Sequence, residues 1–161
     1  MSAIASFILL PKASLDGLRA AAKPQKRLFR APKDTYWDYL REAGREAAGY
    51  QWSGYVLATL LAWLADERHV DLQSSEHDEL SRYLSGERGS SHLIFSKEQR
   101  DKYLAQLDPS AASIEQLRDY YNKFNEVNEP DAGLPMMDGL RALQQAPSAI
   151  DDASVVLLII G

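Results

Sequence analysis

Two nearly continuous apolar runs stand near the two ends of this chain, Ile4-Ala5-Ser6-Phe7-Ile8-Leu9-Leu10 and Val155-Val156-Leu157-Leu158-Ile159-Ile160. A strand with one wet face alternates apolar and polar residues. A run that is apolar on both faces needs cover on both sides, so it belongs inside a sheet and not at a wet edge. Pairing the two runs with each other is the economical solution. The sequence between them is mostly helical in period. The expected fold class is therefore α+β: a small sheet including paired N- and C-terminal strands, packed by about six helices. No internal repeat, low-complexity tract or linker interrupts the 161 residues, so residues 1–161 read as a single α+β domain. A chain of that size buries roughly 70% of its unfolded surface without staples.

The helices announce themselves by their caps. Ser14 is placed to cap a short helix reaching about Ala22, and Asp34 or Thr35 to cap one carrying Tyr36, Tyr39, Leu40, Ala43 and Ala47 on one face up to Gly49. Ser53 opens Gly54 to Arg68, whose Tyr55–Ala65 run is apolar nearly all round, the mark of a central helix. Glu76 to Ser85 carries Leu80, Tyr83 and Leu84. His92-Leu93-Ile94-Phe95 reads equally as a short strand or an extended connection. Ser96-Lys97-Glu98-Gln99 and Ser113-Ile114-Glu115-Gln116 both match the capping box. The second opens the cleanest stripe in the chain, Ile114, Leu117, Tyr120 or Tyr121, Phe124 and Val127, with Leu117 and Phe124 expected in the core. Leu134 to Leu143 reads as a further short helix.

Three segments resemble the YfbM-like family of small bacterial proteins. They are the opening Met1-Ser2-Ala3-Ile4-Ala5-Ser6-Phe7 with its first helix at Leu15 to Leu18; Phe95-Ser96-Lys97-Glu98-Gln99 through Leu107 and Ser113-Ile114-Glu115-Gln116-Leu117-Arg118; and the closing Val155 to Gly161. Together they cover about half of the chain, and none is a catalytic motif. The chain departs from the family's pattern over residues 128–146, which lack its tyrosine–proline segment. The resemblance bears on fold and carries no activity across.

Composition narrows the function classes by subtraction. The chain has no cysteine, which excludes disulfides, thiolate metal sites and a cysteine nucleophile. It also lacks G-x-S-x-G, Walker A and G-x-G-x-x-G sequences. His69, His77 and His92 do not fall at the i, i+3 or i+4 spacing that converges ligands on a metal, and Ser90-Ser91-His92 places a serine beside a histidine without the spatial convergence a nucleophile needs. No catalytic residue, metal or cofactor is assigned. The apolar N-terminus lacks a basic lead-in, and no stretch approaches the ~20 apolar residues of a membrane span. A cytoplasmic protein without a membrane partner is expected.

Charge is the least generic feature. Net charge is −5, yet residues 1–33 hold seven bases against Asp16 alone, a balance of +6, which leaves −11 for the rest. Lys23, Lys26, Arg27, Arg30 and Lys33 surround Leu28 and Phe29 in a proline-bearing segment that reads as a loop. Two readings follow: an anion site for phosphate, nucleic acid or an acidic protein surface, or, preferred, a loop resting on the domain's own acidic faces with Leu28 and Phe29 anchoring it to the core. Overall acidity argues against general nucleic-acid binding. Aromatics concentrate at Tyr36, Trp37, Tyr39, Tyr50, Trp52 and Tyr55. Trp37 alone falls off its helix stripe, which makes it a candidate binding anchor beside the basic segment. The function class best served is a small acidic protein-interaction module, an immunity-like or regulatory partner of another protein. The alternative is a small-molecule or phosphate-handling enzyme that holds an anion with the 23–33 segment.

Overall fold

The C-terminal strand is the centre of the molecule. In the computed structural model, which describes residues 3–161 and for Arg27 the backbone alone, all seven residues of β6 (Ser154–Ile160) are buried. Met1 and Ser2, which open the first resembling segment, lie outside the described residues. β6 runs between β1 (Ala5–Pro11) and β5 (Ser91–Phe95), and β4 (Arg45–Ala48) flanks β1, giving the order β4-β1-β6-β5 with every neighbouring pair antiparallel. The terminal strands pair as expected, from Ala5 opposite Ile160 to Pro11 opposite Ser154. Reciprocal bonds between Ile4 and Gly161 (2.8 and 3.0 Å) extend the ladder.

Strand periodicity then divides the core in two. Phe7, Phe95, Val156, Leu158 and Ile160 pack under α3 (Gly54–Arg68), α7 (Gly133–Ser148), α5 (Lys97–Tyr103) and Leu117 of α6 (Ile114–Asn125). Leu10, Ile94, Val155, Leu157 and Ile159 face α1 (Leu15–Ala22), α2 (Tyr36–Ala43) and α4 (Asp78–Arg88). The continuous apolar runs are thus explained: both sheet faces are covered. Among the described residues, seven α-helices in two layers cover the sheet.

Local chemistry sets most boundaries. Both capping boxes form in full: Ser96 and Ser113 accept from Gln99 and Gln116 N–H, whose side chains return to the cap N–H. Ser53 caps α3 by accepting from Tyr55. Ser14 does not cap α1; its hydroxyl donates to the Pro11 carbonyl instead. The helix expected to reach Gly49 stops at Ala43. At Gly44 a Cβ would lie 2.6 Å from Ile8 and 2.8 Å from Leu10, and the chain leaves that close approach to pair with β1 as β4. Tertiary strand pairing there outweighs the helical stripe. Residues 92–95 are strand, and the helix expected over Leu134 to Leu143 continues to Ser148 through Pro147.

The stripe of α6 needs a larger correction. Leu117 is buried, but Phe124 is 54% exposed, and Ile114 and Val127 are exposed as well. α6 packs against α7 and α3, which cover Leu117 and leave much of its apolar arc exposed.

Candidate functional site

Residues 23–33 form a hairpin where a loop was expected. β2 (Gln25–Arg27) and β3 (Arg30–Lys33) pair antiparallel, with Arg27 opposite Arg30 and Leu28-Phe29 as the two-residue turn. The second turn residue takes a positive φ, a place usually filled by glycine, and here Phe29 supplies it at 62°, a conformation rare for a bulky side chain. The tip does not anchor in the core as expected. Leu28 is 88% exposed and Phe29 fully exposed. Lys23, Lys26, Arg30 and Lys33 are exposed too, and none of the four forms an ion pair among the described residues. The side chain of Arg27 lies outside the described residues. The preferred intramolecular reading therefore loses its physical basis, since the hairpin neither buries its apolar pair nor pairs these four charges.

Both ends of the hairpin are held by one residue. Arg88, at the end of α4, donates to the Asp34 carboxylate (2.7 and 3.2 Å) and to the Ala22 carbonyl (3.2 Å). Its guanidinium lies 4.5 Å from the centre of the Tyr36 ring. The forked, charge-assisted bond to Asp34 fixes orientation as well as distance, and with the Tyr36 N–H it holds the Asp34 carboxyl below its ordinary range. Beneath it, Tyr36 and His92 are both buried. His92 Nδ1 faces the Ser90 carbonyl oxygen at 2.9 Å, which only accepts, so Nδ1 carries the proton. Nε2 then accepts from the Tyr36 hydroxyl at 2.8 Å. Every polar atom of this pair is satisfied with a neutral imidazole.

A pH dependence follows. Burial, reinforced by Arg88, pushes His92 below its ordinary 6.5, against the Ser90 bond, and burial does the same to His77. Between the lowered folded value and 6.5 the unfolded chain carries the extra proton, so stability falls as pH falls. Urea midpoints are expected to be level above about pH 6.5 and to decline toward about pH 5, with a shallower decline in His92→Gln. A protein more stable at the acid end would contradict this arrangement.

Trp37 is 46% exposed, and its ring meets Tyr36 edge-on at 5.3 Å between centroids. It lines a depression of about 450 Å³ with Ile8, Leu40, Arg41, Arg45 and Glu46. Among the described residues none of the hairpin lines that depression, so Trp37 and the described part of the basic segment do not share one cavity.

A larger groove of about 730 Å³ lies between α3 and α6, on the opposite helical layer. Its walls include Trp63, Asp66, Glu67, Tyr120 and Phe124. Tyr120 and Phe124 stack with centroids 5.7 Å apart, and the Tyr120 hydroxyl donates to Asp66 at 2.6 Å. Arg68 lies over Trp63 and donates to the Ala111 carbonyl. The helical stripe, from which Phe124 is expected in the core, hides this groove in the sequence. The three histidines do not converge, and among the described residues no group of three histidine, aspartate or glutamate side chains is placed to hold a metal ion. No helix of the described residues is long and apolar enough to cross a membrane. Comparison with protein-family models, curated proteins and solved structures gave no match.

Proposed function

We propose that the chain is a protein-interaction module that presents the 23–33 hairpin to an acidic surface of another protein. The observation that carries this reading is the exposed Leu28-Phe29 tip between Lys26 and Arg30, neither of which forms an ion pair among the described residues. An apolar side chain in water gains nothing from folding, whereas burying it in a partner is worth about 1.5–3 kcal/mol. The flanking bases add complementarity and a salt-sensitive on-rate. An anion-holding enzyme is less well supported, because among the described residues none of the hairpin lines the grooves described above, and Lys23, Lys26, Arg30 and Lys33 form no ion pair with a carboxylate. The YfbM-like kinship stays a proposal about lineage and supplies no activity to either reading.

The test separates binding from stability. Phe29→Ser and the combined Lys26→Gln, Arg30→Gln change only exposed groups, so each is expected to stay within about 0.5 kcal/mol of the parent. Both are expected to lose a protein that the parent recovers from native extract, and salt is expected to weaken the parent's own recovery. Unchanged recovery by both variants would remove the hairpin from the function.

A further inference from the structure

The hairpin's partner can be narrowed, on the reading that it is an interaction element. We infer that the partner is a second copy of this chain, whose α3–α6 groove receives the Leu28-Phe29 tip. The two surfaces complement each other in polarity and charge. The tip offers two unburied apolar side chains framed by bases. The groove offers Tyr120 stacked on a half-exposed Phe124, with the acids Asp66 and Glu67 among its lining residues. Glu67 has no ion-pair partner among the described residues. The surrounding helix and loop, residues 114–131, hold five acids and two bases, a net −3. Of the two cations on the groove, Arg68 is committed to Trp63 and Ala111, which leaves Lys123 to oppose the approach.

The two surfaces do not meet within one chain. The hairpin joins α1 to α2, which pack on one face of the sheet, while α3 and α6 belong to the other, and the buried sheet lies between. The contact is therefore between copies, and since tip and groove are different surfaces it is heterologous, head to tail. A contact made by a hairpin tip is small, at the weak end of protein interfaces. Association is thus expected at high protein concentration and low salt.

Heterologous contacts permit a decisive experiment. In sedimentation velocity from micromolar to near-millimolar protein, the parent is expected to form larger species as concentration rises, and salt to reverse them. Phe29→Ser, which keeps its groove, and Phe124→Ser, which keeps its tip, are each expected to remain monomeric. An equimolar mixture of the two is expected to give a one-to-one dimer and nothing larger, because each retains only one competent half. Glu67→Lys replaces Phe124→Ser as the groove-defective chain if the latter loses its thermal transition. A parent that stays monomeric throughout, or a mixture of monomers beside an assembling parent, overturns the inference. A parent that stays monomeric yet recovers a different protein through Phe29 overturns the second copy alone and keeps the hairpin as an interaction element.

Discussion

Removal of residues 154–161 is expected to leave a chain with no cooperative unfolding transition. β6 contributes six large aliphatic side chains, all buried, to both cores at once. At about 1.5–3 kcal/mol for each buried side chain, that loss alone matches or exceeds the whole stability of an ordinary domain, about 5–15 kcal/mol. The backbone penalty adds to it. β1 and β5 both pair with β6, so its deletion leaves two strands with unpaired N–H and C=O groups in an apolar interior. Circular dichroism through a urea titration reads the outcome. A truncated protein that unfolds in one sharp step near the parent's midpoint would mean that β6 is not the centre of this fold.

The second large effect is local. Phe7 is 1% exposed and lies on β1 under the α3–α7 layer. Phe7→Ala is expected to cost about 3–5 kcal/mol, the sum of lost transfer energy and the cavity left behind. Phe124→Ala is expected to cost less than about 1 kcal/mol, because that ring already meets water. Equilibrium urea denaturation of both variants compares them directly. Equal costs would place Phe124 in the core after all and close the groove.

These two phenylalanines show where sequence reading succeeds and where it stops. Phe7 belongs to a run with apolar residues on both strand faces, and only burial between two layers accommodates such a run. The terminal pairing was legible for that reason, as were the caps at Ser53, Ser96 and Ser113, whose partners lie within three residues. Phe124 belongs to a helical stripe, and a stripe reports that one arc is apolar without reporting how much of it a neighbour covers. β4 was illegible because Ala43 and Ala47 fit a helix as well as a strand, and the decision came from β1, distant in sequence. The hairpin carries no Asn-Gly or Gly-rich turn to announce it, since Phe29 itself takes the positive φ. Its clamp was hidden for a different reason. Arg88 is 54 positions from Asp34, and no local pattern marks that pairing. The basic segment itself was visible as charge, but its outward projection needed the geometry.

Replacing Phe29 with a photo-crosslinking phenylalanine analogue tests the central claim most directly. The ring position is fully exposed, so the analogue is accommodated without disturbing the core. Irradiation at low salt is expected to yield one discrete adduct with a protein chain, either a second copy or another protein, and added salt is expected to abolish it. An adduct confined to the same chain, or none at all under conditions where the parent binds its partner, would contradict the hairpin as the recognition element.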